Sequence, residues 1–270
     1  MLVALTNETR TEAWCAPRGP RYICPQCRQD TVLRRGQLVA AHFAHKPPVA
    51  CSWGRGETQA HLAAKRLLCD AMRARGLPAE VEREVASLHG DRRADVLVWG
   101  NDGTCVAFEI QHQPLDYSAI DRRTRAYMTV GVRVIWISLI TSAQLAVAEW
   151  EPDGALIRKY SPRPWEKWSH AYGMGEHWFL EPTAGALWQG RLQEHKIEVP
   201  STTWFTSGGV EHSGGGFSRS SKRWRDLRLH GPVAPQSVGI QPFQRLEWSG
   251  RAFSLPAGPA AKFMFPPASV

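Results

Sequence analysis

Six side chains in the middle of the chain are spaced for metal chemistry. They are Glu57 and His61 in GETQAHLAAKRLL, Asp95 in RRADVLVWG, Glu109 and Gln111 in CVAFEIQH, and Arg123 in DRRTRAY. A carboxylate on an expected helix, one on a strand and one on its hairpin partner can converge on a single divalent ion. Hard oxygen ligands suit magnesium or manganese. Such an ion polarises a phosphoryl oxygen and lowers the pKa of a bound water. The order helix Glu, strand Asp, strand Glu-x-polar therefore points to phosphodiester hydrolysis.

A second cluster lies nearer the N-terminus. Cys24 and Cys27 form a C-x-x-C knuckle, His42 and His45 follow in HFAH, and Cys51 comes last. Two thiolates on a tight turn and a second pair about fifteen residues on complete a tetrahedral structural zinc site. Five candidates exist for four positions, and spacing alone does not say which of the last three drops out. Cys15 and Cys69 are placed less suitably, and Cys105 sits in a strand pattern that fits a core position.

The elements that must carry these residues can be read from periodicity. Ala60, Ala64, Leu67, Leu68 and Ala71 recur at helical spacing, predicting a helix over 57–75 that stops near Gly76-Leu77-Pro78. On that helix Glu57 and His61 lie on or beside the apolar stripe, where a charge is costly unless paired or metal-bound. Taken alone, Glu57 reads as an acid complementing the helix dipole; its company favours a site. Lys65 falls nearer the rim. Val81 and Val85 suggest a first strand, and 93–99 and 105–111 read as strands joined by Gly100-Asn101-Asp102-Gly103. If that hairpin loop has five residues, 100–104, Asp95 lies opposite Glu109 with Cβ atoms about 5 Å apart. A four-residue loop would send the two acids to opposite faces. A helix over 116–130 and a strand over 132–139 complete the order helix, three strands, helix, strand. Arg123 and Tyr127, four apart, share one helix face and can grip a phosphate or simply stack on one another. His112, just past the strand, is a spare base or an incidental loop residue.

Composition bounds the rest. The chain has 270 residues and a formal charge of +8. Residues 1–56 carry 8 basic and 3 acidic side chains, 57–200 carry 17 and 19, and 201–270 carry 8 and 3. Basic ends around a slightly acidic centre fit a nucleic-acid footprint flanking a metal site, or a merely solvated surface. The most apolar run, VRVIWISLI, is too short to span a bilayer and reads as a buried strand. The first ten residues show no secretory signal, and Cys among His favours a reducing compartment, so a cytoplasmic location is expected. Four regions are expected: a zinc module over 1–56, an α/β core over 57–148, a Trp-rich extension over 149–205 and a mobile basic tail over 206–270. GGGFSRSSKRWR and many Pro, Gly and Ser residues mark that tail as irregular.

The joint pattern RADV, FEIQ, R-x-x-x-Y and GVRVIWI, behind C-P-x-C and HFAH, resembles the CoiA-like competence protein family over roughly residues 20–140. That family is assigned to the PD-(D/E)XK nuclease superfamily. The resemblance implies a restriction-endonuclease-like α/β core with a mixed sheet. It implies that Asp95 and Glu109 are the two superfamily acids, that Glu57 is the acid of the first helix with His61 beside it, and that Arg123 and Tyr127 are the polar pair of the second helix. Gln111 stands where the superfamily usually has Lys. A Gln is neutral and can only orient a water by hydrogen bonds.

The sequence thus reads as a zinc-bearing, magnesium- or manganese-dependent DNA nuclease, by resemblance acting on incoming DNA during competence alongside other DNA-processing proteins. Glu57, Asp95 and Glu109 would hold the catalytic ion, while Lys65, Arg93, Arg123 or Tyr127 would meet phosphate. A non-catalytic DNA-binding adaptor on a nuclease-like scaffold, or a protein-interaction module with a Trp-rich surface, are the alternatives. An adaptor would bind DNA without Mg²⁺ and never cut it. An interaction module would show little salt-dependent DNA binding.

Overall fold

The computed structural model describes residues 1–37, 39–48, 50, 51, 53 and 57–266. The N-terminal module is a five-stranded antiparallel sheet of β1 (Val3–Thr6), β2 (Thr9–Glu12), β3 (Tyr22–Ile23), β4 (Asp30–Arg34) and β5 (His42–His45), in the order β2-β1-β3-β4-β5. The helix α1 (Gln59–Ala74) follows, then β6 (Ala79–Val85), β7 (Arg92–Trp99), β8 (Cys105–Gln111), α2 (Tyr117–Met128) and β9 (Arg133–Leu139).

The sheet does not end there. After α3 (Ser142–Ala146) come β10 (Glu149–Glu151), β11 (Gly154–Tyr160), α4 (Pro164–Tyr172), β12 (His177–Glu181) and β13 (Ala186–Val199). Then follow β14 (Thr202–Phe205), β15 (Glu211–Gly214), β16 (Phe217–Val233), β17 (Gly239–Arg245), β18 (Trp248–Ser249), β19 (Ser254–Leu255) and β20 (Gly258–Met264). Nine of these strands form one mixed sheet in the order β10-β11-β16-β13-β12-β9-β8-β7-β6. β8 and β9, and β9 and β12, run parallel; the other neighbours are antiparallel.

Alternation along the central strands builds two cores. Val96, Val98, Phe108 and Ile110 pack with Leu62, Ala64 and Leu68 of α1 on one face. Leu97, Ala107, Val134 and Trp136 pack with Ile120 and Tyr127 of α2 and Trp165 and Trp168 of α4 on the other. The sheet is therefore a middle layer, with α1 on one side and α2 and α4 on the other.

The sheet continues past the expected core, 57–148, because β12 pairs with β9 and carries β13 and β16 with it. One expectation needs correction. The segment expected to be irregular, 206–270, contains β16, whose Leu227 and Leu229 are buried beside Trp188. It also contains β20, whose Phe263 packs edge-on against Phe108 at 5.1 Å. Polar and glycine-rich composition hid these strands, since their partners lie far away in sequence or are supplied by the core. Positions 267–270 of that expected tail lie outside the described residues.

Candidate metal and acid sites

The zinc candidates sort themselves by pleat. Backbone bonds from Cys24 N–H to Gln29 O (2.8 Å) and Arg28 N–H to Cys24 O (3.0 Å) fold the C-x-x-C knuckle. Sulfur and ring-nitrogen atoms of Cys24, Cys27, His45 and Cys51 all lie within 4.8 Å of one another. Cys24 and Cys51 sulfurs are 4.0 Å apart, near the edge of about 3.8 Å that a zinc–thiolate tetrahedron requires. Three sulfurs and one imidazole are a zinc donor set, so the cluster can hold that ion. His42 is the candidate that drops out. HFAH is a strand, and residues three apart on a strand face opposite ways. The His42 ring is engaged instead with Ala40 O at 2.8 Å.

The acid site is positioned by a helix cap and a hairpin. Thr58, not Glu57, opens α1, accepting from His61 N–H at 3.2 Å. Glu57 therefore precedes the helix, which corrects the wheel placement. His61 sits on the first turn and faces β7, where its Nε2 is 3.1 Å from Asp95 Oδ2. In the hairpin, Trp99 pairs with Cys105 and Val96 with Phe108, so the loop has five residues. That register, carried one step further, sets Asp95 opposite Glu109. There the Asp95 carboxylate takes the Ile110 N–H at 2.9 Å.

Asp95, Glu109, His61, Gln111, Arg93 and Arg123 line one polar cavity of about 480 Å³. Their environments differ. Burial pushes the Glu109 carboxyl up to about 7, helped by the neighbouring Asp95 charge. Tyr127 donates its hydroxyl to Glu109 Oε1 at 2.6 Å. Burial also pushes Asp95 upward, but His61, Lys65 and the Ile110 amide overcome it and hold the acid below its ordinary range. Two adjacent acids with opposed shifts mark a candidate functional site.

Lys65 is the main departure from the sequence reading. It is fully buried rather than at a rim. Its ammonium contacts Glu57, stands 2.8 Å from Glu82 Oε1 and 3.3 Å from Asp95 Oδ1. Burial pulls its pKa down, but these three acids raise it by more, so the ammonium stays charged. Lys65 is thus a structural counter-ion, not a phosphate ligand. Glu57 is engaged in the same way, with Oε2 at 2.8 Å from the Met1 amine. Tyr127 is likewise committed to Glu109, which leaves Arg123 as the member of that helix pair available to phosphate. Gln111 Nε2 donates to Gln113 O at 2.8 Å while its side chain lines the cavity.

Glu82 is the buried acid that sequence reasoning missed. AEVEREV alternates acids like a solvated strand. At Glu82 the chain takes φ +52°, and the carboxylate is buried against Lys65 and the Val3 N–H at 3.3 Å. Nothing in the local pattern announces that kink. The N-terminal module also reaches the cavity: Trp53 lines it and lies under the Arg93 guanidinium, 4.5 Å from the ring centre.

A mixed sheet flanked by helices, with two acids and a basic rim at its hairpin, defines a nuclease-like α/β domain. The family description for the nuclease-like domain of competence protein CoiA matches residues 57–148, and that for the CoiA N-terminal domain matches residues 5–54. Together they cover more than half of the chain, and the protein belongs to the CoiA competence family. No curated protein and no solved structure matches it. Among the described residues no helix is long and apolar enough to cross a membrane.

Proposed function

We propose that the protein is a PD-(D/E)XK-type, metal-dependent nuclease that hydrolyses DNA phosphodiester bonds, in keeping with the handling of incoming DNA during competence. The observation that supports this best is the pairing of Asp95 and Glu109 in a polar cavity ringed by Arg93 and Arg123. Burial first, and then the neighbouring Asp95 charge, raises the Glu109 carboxyl, and a divalent cation held between the two acids would offset both. Asp95 and Glu109 are the residues to hold Mg²⁺ or Mn²⁺, while Glu57 is held by Lys65 and the Met1 amine. When bound, the ion would polarise a phosphoryl oxygen and acidify a water.

The chain's own groups do the positioning. Tyr127 fixes the rotamer of Glu109. His61 and the Ile110 amide fix Asp95 Oδ2. Lys65 holds Asp95 Oδ1 without leaving the core. Gln111 can swing from Gln113 O to orient a water, and Arg93 and Arg123 meet phosphate charge. In the Cys24, Cys27, His45, Cys51 cluster a zinc ion would clamp the module that delivers Trp53 to the cavity wall.

The test is incubation of wild type and Asp95→Asn with linear, circular and single-stranded DNA, in Mg²⁺, Mn²⁺ or EDTA. Metal-dependent cleavage by wild type alone supports the nuclease. DNA binding without cleavage under every condition supports the non-catalytic adaptor instead.

A further inference from the structure

β13 and β16 are 14 and 17 residues long, and only their inner halves belong to the sheet. β12 pairs with β13 up to Gly190, and β11 pairs with β16 from Arg225 onward. Beyond those points the two strands pair only with each other, from Lys196 with Ser220 to Val199 with Phe217. β14 and β15 cap this ribbon as a short hairpin. A bend joins hairpin to ribbon at Gly215 (φ +85°), where a Cβ would meet Pro200 O at 2.0 Å.

The ribbon is decorated in an unusual way. Trp204, Phe205 and Phe217 are 50 %, 66 % and 54 % exposed, although a protein ordinarily covers such rings. The Trp204 ring is laid flat on His212, with centres 5.8 Å apart and planes 16° from parallel. From Phe217 through Arg225 there are four cations, Arg219, Lys222, Arg223 and Arg225, and no acid. The register slips between Glu194–Arg225 and Lys196–Ser220, where residues 221–224 stand opposite His195 alone and form a bulge. Ser221 Oγ shapes that bulge, accepting from Arg223 N–H (3.2 Å) and Trp224 N–H (2.9 Å). Lys222 and Arg223 stand exposed on it, and with Arg219 they make no ion pair among the described residues. Arg223 and Lys159 each lie 5.6 Å from the Trp224 ring centre.

We propose that this ribbon is a binding arm for single-stranded nucleic acid, with Arg219, Lys222 and Arg223 on phosphates and Trp204, Phe205 and Phe217 against bases. Cations without an ion pair, interleaved with half-exposed aromatic rings, suit a strand whose bases are unstacked. A duplex offers the same phosphates but keeps its bases stacked away from such rings. An acidic peptide would satisfy the cations and leave the rings exposed. The arm lies outside both family-matched segments, and it rests on the nucleic-acid reading of the acid cavity, adding the form in which a strand is held.

The test is fluorescence anisotropy in EDTA, with a single-stranded DNA of about 20 nucleotides, the same RNA and the same duplex, chosen to exceed a site of about 4–16 nucleotides. Trp204→Ala/Phe205→Ala should weaken both single strands at least tenfold and the duplex much less. Lys222→Glu/Arg223→Glu should lower the slope of log affinity against log salt by about 1.4. Thermal unfolding at the wild-type temperature verifies each fold. Unchanged single-strand binding in both variants overturns the proposal, and so does an equal loss on duplex. Metal-dependent cleavage at saturating substrate, measured on the same variants, should stay at the wild-type level. Loss of arm binding with no cleavage by any form would sink the nuclease reading alone, while cleavage with unaltered binding would sink the arm alone.

Discussion

Lys65 Nζ stands 3.3 Å from Asp95 Oδ1, inside the core, and the same ammonium serves Glu57 and Glu82. One fixed cation thus gathers acids from the α1 approach, β6 and β7. It occupies the side of Asp95 away from the His61 and Ile110 contacts, which reach the other oxygen. A metal ion at Asp95 and Glu109 and an ammonium at Asp95, Glu57 and Glu82 would share the central carboxylate.

Removing that ammonium should be costly. Lys65→Met keeps the length of the side chain, leaves the buried Glu82 without its cation and removes one partner each from Glu57 and Asp95. Breaking a buried ion pair from one side costs about 3–5 kcal/mol. Urea unfolding should give an unfolding free energy lower by about that amount. A stability within about 0.5 kcal/mol of wild type would mean the acids do not depend on Lys65.

The zinc reading separates two histidines three residues apart. Cys27→Ser and His45→Ala should each lose about one zinc per chain, because ligand removal takes folding free energy with it. His42→Ala should retain the metal, since that ring faces Ala40 O. Elemental analysis of the purified proteins decides it; zinc lost from His42→Ala but kept in His45→Ala would reverse the assignment.

A buried histidine sets a pH dependence elsewhere in the fold. Burial, with His170 nearby, pushes His177 down to about 3 from its usual 6.5. Its ring is held by Ser138 Oγ (2.8 Å) and Ser169 Oγ (2.9 Å). Between those two values the unfolded chain binds a proton that the folded chain refuses. The His177 contribution is therefore complete above about pH 6.5 and is lost as pH falls toward 3, with a slope of up to about 1.4 kcal/mol per pH unit. Denaturation of wild type and His177→Gln from pH 7.5 to 4.5 measures it. The stability gap between them should narrow as pH falls; a constant gap would show that folding does not lower the His177 pKa.

The hairpin is where the sequence was most readable. Gly100-Asn101-Asp102-Gly103 announces the turn and alternation in CVAFEIQH places Glu109, but a loop of four or five residues was equally open to the sequence, and the pairing of Trp99 with Cys105 decides for five. Apolar spacing likewise locates α1, but not its first residue, because Thr58 and Glu57 compete for the start and only the Thr58 hydroxyl caps it. The burial of Lys65 was hidden for a different reason. Its partners Glu82 and Asp95 come from other strands, and a Lys on a helix flank is ordinarily solvated. β16 was hidden by composition, since its outer half is built for a surface and its inner half borrows β11 and β13. Deleting residues 206–266 would therefore dismantle the sheet rather than trim a tail, and point variants on the ribbon are the sounder probe.

Gln111 offers a graded control on the acid site. Gln111→Ala removes a water-orienting amide and leaves both acids, so cleavage should fall less than on loss of Asp95. Gln111→Lys should be tolerated, as it restores the commoner residue of the superfamily pattern. Initial rates under saturating Mg²⁺ compare the three proteins, and a Gln111→Ala rate as low as that of Asp95→Asn would make Gln111 more than an orienting group.

The most direct measurement is Mg²⁺-dependent cleavage of linear DNA by wild type, Asp95→Asn and Glu109→Gln, each verified for fold and for DNA affinity in EDTA. Asparagine at 95 can still accept from the Ile110 N–H, and glutamine at 109 can still accept from Tyr127, so both variants keep the shape while losing a charged ligand. The account predicts wild-type cleavage that EDTA abolishes, a loss of at least a hundredfold in either variant, and unchanged DNA binding. Full activity in Asp95→Asn and Glu109→Gln would contradict it.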